Sequence, residues 1–487
     1  MSQLYVWISL IIWISIATGI AFLAKRGLGE GIAEYFIGGR RLGGFISGMT
    51  YSATTYSAFM LVGLVGLTYQ SGVGALGFEM TYLMFTVLLL AIFAPRFWLA
   101  SNKYDFVTPS ELLANRYESR WVGIVSAAIF LVMLIPYAAV QLMGIGFLVE
   151  GLTGGDIPYM AGVLLMAAFS GFSALWAGMR SVSWTDAFQA ITMLTTSLFA
   201  LFFLFYHFFG SPSGFFTTIT TENSNLLKLN WNPRLFIGLA LPWAFFALTN
   251  PQVSQRMFIP DKVSSIKRMI IYFSIFGFIY TIISTLFGLQ AANLLPGLTN
   301  PDKAMPVLLT KIPTALGLII FIGIFAAATS TLGSIILTLS SAVSRDIVHN
   351  FKPSISEKLE LFSGKLFIPL LLGATVVFAW VQPGLIAVLS SMASGGLLVT
   401  APALIGAFFW KQGTGAGALT SMVAGGIITG VMYAKGFHPL GWWPSVWGFG
   451  VTVFLFLVVS LFTNAPGIAE EFVNTTNKRM KEMAKTD

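Results

Sequence analysis

Apolar runs of about 20 residues recur along nearly the whole chain, and nothing else in the sequence constrains the fold as much. A helix needs about 20 such residues to cross the hydrocarbon core of a bilayer. Thirteen windows qualify: roughly 4–24, 43–71, 77–100, 121–150, 157–178, 181–208, 233–256, 268–295, 314–346, 362–382, 385–410, 415–434 and 442–463. Charged residues make up 9% of the chain, against about 25% in soluble domains. The expectation is an all-α polytopic membrane protein with about 13 transmembrane helices, embedded in a lipid bilayer. Several windows exceed 25 residues, which predicts tilt or kinks. The first run has no basic leader and no small-residue cleavage site, and Lys25-Arg26 follow it. It therefore reads as a retained helix, not a signal peptide.

The net charge of +8 would suggest nucleic acid in a soluble protein. Here it is a matter of loops. Alternating the loops across thirteen spans leaves only Lys228, Arg234, Lys303, Lys311 and Lys435 on one side, and the rest of the 27 Lys and Arg on the other. Cytoplasmic loops carry the excess of Lys and Arg, so the N-terminus is expected outside and the C-terminus inside a plasma membrane. The connections are short; 209–232 and 346–361 are the longest internal ones. No soluble domain is inserted, and neither a nucleic acid nor an obligate protein partner is expected.

The residue inventory narrows the chemistry. The chain has no cysteine, which rules out disulfides, thiolate metal sites and thiol nucleophiles. Its three histidines, His207, His349 and His438, are scattered. No carboxylate pair or metal-ligand spacing is present, so an enzyme is not expected. A sensor would need a signalling domain, and a channel a repeated filter.

Polarity enters the membrane at a few places. The window 43–71 has apolar ends but a centre crowded with hydroxyls, Met49 to Ser57. Ser and Thr compete for backbone hydrogen bonds inside a helix, and β-branched Thr loses rotamer freedom there. This predicts a broken helix, which a bilayer tolerates only where the break lines a protein cavity. A break near 53–56 frees the carbonyls of Ala53 and Tyr56. In the ninth window Ala327, Ser330 and Thr331 are spaced i, i+3, i+4 and share one helix face. Alone, that face also reads as small-residue helix packing. Set against a broken helix, it completes an all-oxygen site. Hard cations take oxygen ligands, and a site without carboxylates suits reversibly bound Na⁺. Thr54 and Thr55 then face the solute or the ninth window.

The seventh window carries a second interruption at Pro242 and at Asn250-Pro251. Paired interrupted spans are a sequence pointer to a transporter's binding site, and Asn250 and Pro251 become candidate solute contacts. Of the acidic residues in or near spans, Glu150 reads as interfacial, and Glu79 as either rim or cavity lining. Asp186, near Arg180, reads as a structural or gating residue.

Four motifs together resemble the sodium:solute symporter family, which includes proline, pantothenate, sialic acid and sodium/glucose symporters. They are Gly38-Gly39-Arg40-Arg41-Leu42-Gly43, Trp184-Thr185-Asp186 with Gln189, Ala327 with Ser330-Thr331, and Ser344-Arg345-Asp346. The resemblance implies a LeuT-type fold whose core, residues 43–410, is two inverted five-helix repeats. Residues 1–42 would then be a peripheral first helix and cytoplasmic loop, 411–463 two peripheral helices, and 464–487 a cytoplasmic tail. It implies symport driven by Na⁺, held by the carbonyls of Ala53, Tyr56 and Ala327 and the hydroxyls of Ser330 and Thr331. Arg40 and Asp186 become coupling or gating residues, and Tyr137, Gln141 and Trp243 candidate solute contacts. Tyr137 and Trp243 match the aromatic positions of proline symporters, but Ala247 and Thr55 depart from their pattern. Tyr104-Asp105-Phe106-Val107-Thr108, Arg116-Tyr117 and Val140-Gln141 are most similar to pantothenate permeases, with the small-monocarboxylate branch (lactate, pyruvate, acetate) near. The expected solute is a small organic anion; the alternative is proline or another amino acid.

Overall fold

The computed structural model describes residues 1–25, 29, 31–176 and 178–486, the last three by backbone only. Arg26, counted above among the cytoplasmic basic residues, lies outside them. The helices are, in order, α1 (Gln3–Lys25), α2 (Ile32–Ile37), α3 (Gly44–Thr55), α4 (Val65–Ser71), α5 (Gly74–Tyr104), α6 (Pro109–Arg116), α7 (Arg120–Thr153) and α8 (Tyr159–Trp176). Then come α9 (Met179–Phe209), α10 (Pro212–Glu222), α11 (Pro233–Ala244), α12 (Phe246–Thr249), α13 (Pro251–Ser254), α14 (Val263–Leu294) and α15 (Ala304–Thr310). The chain ends with α16 (Thr314–Ser341), α17 (Glu357–Val381), α18 (Ile386–Leu397), α19 (Ala401–Phe409), α20 (Gly415–Ala434), α21 (Pro444–Leu461) and α22 (Ile468–Thr486). Among the described residues there is no strand; a single parallel bridge joins Leu42 to Pro260.

Among the described residues the protein is all-helical, with 11 helices long and apolar enough to cross a membrane. These are α1, α5, α7, α8, α9, α14, α16 with its continuation to His349, α17, the run 386–409, α20 and α21. The windows 43–71 and 233–256 are missing from that set because neither is one continuous helix. Burial separates centre from periphery. In α16 and in 386–409 the apolar window is 78% buried, against 28% in α1 and 22% in α17. A fully apolar helix with little buried surface faces lipid, so α16 and α18 belong to the core and α1 and α17 to the rim.

The two interruptions have different causes. In α3, the Ser52 hydroxyl bonds back to the Gly48 carbonyl at 2.8 Å, and the helix stops at Thr55. Tyr56 is extended, at φ −94° and ψ 93°, and a π-helical turn, Phe59–Leu64, leads into α4. The amides that would close the next turn on the carbonyls of Thr54, Thr55 and Tyr56 go elsewhere. Ala58 N–H donates to Gln141 Oε1 at 3.2 Å, Phe59 N–H to the Ser57 hydroxyl at 3.1 Å, and Met60 N–H to the Ser57 carbonyl at 3.0 Å. Local hydroxyl bonding of this kind competes directly with the helix.

The second interruption is a proline effect. Pro251 has no N–H, and its ring drives the preceding residue out of the helical region. Asn250 accordingly sits at φ −92°, ψ 104°, with Pro251 at the first position of α13. Pro242 does not break the chain; it stays inside α11, which runs two residues further to Ala244. The approaches to the two halves are tied together, since Leu42 N–H donates to the Ile259 carbonyl at 3.2 Å and Asp261 N–H to the Leu42 carbonyl at 3.0 Å.

Candidate functional site

The break after α3 faces the middle of α16. The Ser330 hydroxyl donates to the Ala53 carbonyl at 2.8 Å and to the Ala327 carbonyl at 3.0 Å. Thr331 Oγ1 donates to the carbonyls of Ala53 at 3.1 Å and Thr54 at 3.2 Å. The i, i+3, i+4 face of α16 and the freed carbonyls of α3 thus form one cluster of neutral oxygens, and all these residues are buried. Tyr56 is the residue at which the helix ends, and its amide still closes on the Ser52 carbonyl at 2.8 Å. A cleft of about 50 Å³ between α1, α8, α9 and α16 reaches Asp186, Gln189, Thr329 and Ser330. It has room for an ion or a water but not for an organic solute.

Immediately beside this cluster lies a buried ion pair. Asp186 Oδ2 accepts from Thr50 Oγ1 at 2.6 Å and from Arg256 Nη2 at 3.2 Å. Arg256 also donates to Ser334 Oγ at 2.5 Å, Thr50 Oγ1 at 3.1 Å and the Gln252 carbonyl at 2.6 Å. The ion-pair partner of Asp186 is therefore Arg256 from the second interruption, where the sequence pointed to Arg180. Ser334 lies one turn beyond Ser330 and donates back to the Ser330 carbonyl at 2.7 Å. The ion pair and the oxygen cluster share α16 and α3, so a change at one is felt at the other. Buried charges persist only when paired and hydrogen-bonded. Sequence reading missed Arg256, counting it as a loop cation. Its position five residues after Pro251 was the available signal.

Aromatic side chains fill the space between the two interruptions. Trp243, at the end of α11, stacks on Phe59 and Phe246 with centroids 5.0 and 5.1 Å away. Tyr82 and Tyr137 approach it edge-on, at 5.3 and 6.4 Å. Its Nε1–H donates to Ser391 Oγ of α18 at 2.9 Å. Both broken segments and α18 therefore meet on one indole. Glu79, one turn before Tyr82 on α5, is buried, and neither of its carboxyl oxygens has a hydrogen-bond partner among the described residues.

The remaining sequence candidates divide. Gln141, one turn beyond Tyr137, spends its side-chain oxygen on the α3 break. Thr54 turns to α16, its hydroxyl 3.0 Å from Ser334 Oγ. The Thr55 hydroxyl is buried without a partner among the described residues. Asn250 and Pro251 are buried at the second break, and Asn250 Nδ2 donates to Thr249 Oγ1 at 3.4 Å. Arg40 is elsewhere, clasping the end of α5: it pairs with Asp105 at 2.8 Å and bonds Ser101 Oγ and the Phe106 carbonyl, each at 3.0 Å. Beyond α16, a π-helical segment (Ala342–His349) holds Arg345, which pairs with Glu111 at 2.5 Å and Glu360 at 3.0 Å.

These geometric relations accompany a family-wide match. The model of the sodium:solute symporter family matches residues 35–425. A sodium/pantothenate symporter of Escherichia coli strain K12 is 28% identical, over 98% of this chain and all of its own length. A sodium/pantothenate symporter of Haemophilus influenzae is 26% identical, over 85% of this chain and 88% of its own. Among solved structures, a Na⁺-coupled sialic acid symporter in a substrate-bound outward-open state superposes with a TM-score of 0.79 at 20% identity, covering 95% of this chain and 98% of that one. That likeness is one of fold. The full-length match, the paired broken segments and the oxygen cluster agree, and the chain belongs to the sodium:solute symporter family, as a multi-pass membrane symporter that couples a small-molecule solute to Na⁺.

Proposed function

We propose that this chain imports pantothenate, or a closely related small carboxylate, together with Na⁺ by alternating access across the plasma membrane. The observation that carries the site assignment is the approach of the Ser330 and Thr331 hydroxyls to the Ala53 carbonyl, at 2.8 and 3.1 Å. Na⁺ is held by the carbonyls of Ala53, Tyr56 and Ala327 and the hydroxyls of Ser330 and Thr331. The solute lies against Trp243 and Tyr137, with Thr54, Thr55, Gln141, Asn250 and Pro251 shaping the space around the breaks. Asp186 and Arg40 act in coupling and gating, Asp186 through Arg256. Similarity to two sodium/pantothenate symporters, one of them matched over its full length, supports the choice of solute. Half-helix ends at the breaks supply dipoles for an anionic group without a fixed charge.

Counting the two broken segments with the 11 continuous spans gives thirteen, with the N-terminus outside and the C-terminus cytoplasmic. The core, 43–410, is read as two inverted five-helix repeats of LeuT type. Each repeat opens on a broken segment, α3 to α4 and α11 to α13. Residues 1–42 and 411–463 are peripheral, and 464–487 a cytoplasmic tail. Na⁺ bridging α3 and α16 favours one arrangement of these repeats, and its release frees the cytoplasmic side to open. The test is uptake of labelled pantothenate into proteoliposomes, with lactate, pyruvate, acetate and proline as competitors. Uptake should need an inward Na⁺ gradient and resist proline. Equal uptake driven by K⁺ or protons alone would sink the Na⁺ reading, and full competition by proline would move the solute to an amino acid.

A further inference from the structure

The turn between α5 and α6, residues 105–108, is held by three separate parts of the chain, and the transport cycle above leaves it without a role. Arg40, on the approach to the first broken segment, takes Asp105 and the Phe106 carbonyl. Gln255, just past the second break, donates from Nε2 to the Val107 carbonyl at 3.0 Å. Asp346, on the π-helical continuation of α16, accepts from Thr108 Oγ1 at 2.6 Å. Both broken segments and the helix that carries Ser330 and Thr331 therefore close on one turn.

Gln255 is the innermost of these ties. It is fully buried, and its side-chain amide is spent in three directions. Besides Val107, Nε2 donates to Ser341 Oγ at 3.2 Å, and Oε1 accepts from Thr338 Oγ1 at 2.8 Å. Thr338 lies one turn beyond Ser334 on α16, and Ser334 one turn beyond Ser330, so a polar stripe of α16 runs from the oxygen cluster to this amide. Polar side chains inside a membrane protein face the bundle interior or a watery path. On the far side of the turn, two polar clefts of about 270 and 410 Å³ share Asp105 and Arg345, and Val107 lines the smaller. Gln255 directly precedes Arg256 in the chain. One layer of neutral hydrogen bonds thus stands between the buried Asp186–Arg256 pair and the clefts. Gln252, one turn earlier, and Ser254 have buried side-chain polar atoms with no partner among the described residues, a hydrogen-bonding capacity that water takes up when the layer parts.

We propose that residues 105–108 are the cytoplasmic door of the transport path and that Gln255 is its latch: while its amide holds Val107, Thr338 and Ser341 the path along α16 is shut, and its release joins the ion site to the clefts. The latch deepens the Na⁺-coupled cycle proposed above and rests on it, and on the orientation that puts this turn inside. A neutral amide suits the task. Its bonds are weak in net terms, and each partner it leaves (a carbonyl and two hydroxyls) can be taken over by water, so opening strands no charge. The charged ties form a second, outer layer. Arg345 pairs with both Glu111 of α6 and Glu360 of α17, and Glu111 caps α6 together with Thr108. That layer lines the clefts, so the dry part of the seal is the Gln255 amide.

The chain has no cysteine, so a single cysteine reports accessibility cleanly. The probe is Ala342→Cys, a buried position one turn beyond Thr338, labelled with a membrane-impermeant maleimide at one saturating Na⁺ concentration. Rates from the cytoplasmic face, in inside-out vesicles, are normalised to Ser354→Cys, exposed on the same side. Gln255→Leu removes three hydrogen bonds and should raise the cytoplasmic rate about tenfold or more. Thr338→Val removes one of them at constant shape and should raise it about threefold; it keeps the comparison available if Gln255→Leu fails to fold. Labelling of Ala342→Cys from the outer face should stay slow in both. The parent's rate in both variants, or a rise from both faces alike, which marks general loosening, overturns the latch. Ser354→Cys labelled only from the outer face overturns the orientation and the door with it. Removing Na⁺ should speed labelling of the parent. A parent rate blind to Na⁺ counts against the Na⁺ placement, and the Gln255 comparison at fixed Na⁺ is read apart from it.

Discussion

Removing the two hydroxyls of α16 is the sharpest perturbation of the proposed Na⁺ site. Ser330→Ala and Thr331→Ala take away two of five proposed oxygen ligands and leave the backbone carbonyls in place. A hydrogen bond or ligand contact to a charged group contributes about 1.5–3 kcal/mol. At 1.4 kcal/mol per factor of ten, each single change should raise the Na⁺ concentration for half-maximal uptake at least tenfold. The double change should raise it by about two orders of magnitude or more, with the terms not strictly additive because both hydroxyls share the Ala53 carbonyl. Folding should suffer less. The lost bonds are neutral, about 0.5–1.5 kcal/mol each, and no charge is stranded. The assay is labelled uptake against external Na⁺ at fixed solute, scaled to the amount of reconstituted protein. A shift under threefold in the double variant, with normal abundance, would refute the placement of Na⁺ between α3 and α16. A large loss of protein without a shift in the survivors would show that the hydroxyls serve helix packing alone.

Asp186→Ala should destabilise the protein by about 3–5 kcal/mol, because it leaves the buried Arg256 guanidinium without its counter-charge. Arg256→Met placed on that background should recover much of the loss in a detergent melting experiment. Trp243→Phe should raise the solute concentration for half-maximal uptake about tenfold, through loss of the Ser391 bond and part of the stacking surface. The Na⁺ dependence should stay where it was, and unchanged solute competition would take Trp243 out of the pocket. Pro251→Ala restores an amide hydrogen and removes the steric constraint on Asn250. Proline is unfavourable in a helix interior by about 3 kcal/mol, so its removal lets α12 and α13 fuse. Transport should fall while the melting temperature holds or rises, and normal transport would mean the second interruption needs no proline.

How much of this was legible in the sequence follows from the range of the forces involved. Span positions were, because a 20-residue apolar run is a local property of the chain. The break at Thr55–Tyr56 was, because hydroxyls act on their own backbone, and Ser52 and Ser57 do so here. The convergence of Ala327, Ser330 and Thr331 was, because helical spacing alone puts them on one face. Pro242 misled: the Gly238 carbonyl that it leaves without an amide accepts from the Ser445 hydroxyl at 3.1 Å instead, and the helix runs on to Ala244. Arg256 offered only its nearness to Pro251 and Ser391 nothing, because their roles come from partners some 70 to 150 residues away, Asp186 and Trp243. Gln141 shows the same limit. Its type and burial suited a solute contact, yet its carbonyl oxygen meets the Ala58 amide, and only the folded chain brings them together.

Neutral hydroxyls suit the coupling ion better than carboxylates would at the same positions. A serine or threonine hydroxyl can donate its hydrogen to a carbonyl or turn its lone pairs to a cation. Ser330 and Thr331 are placed for both, within 3.2 Å of the carbonyls of Ala53, Thr54 or Ala327. At the proposed site Na⁺ competes with a satisfied set of hydrogen bonds, and its binding free energy would be the difference between the two. A carboxylate has no such alternative inside the protein and would hold the ion far more tightly. The charge in this region is instead spent one turn away, where Asp186 and Arg256 neutralise each other. That pair fixes α3, α9 and the second interruption in register without adding net field at the ion. On the proposed placement, the ion decides only whether α3 and α16 are clamped across the Ala53 carbonyl, and that is the contact the proposed cycle would make and break.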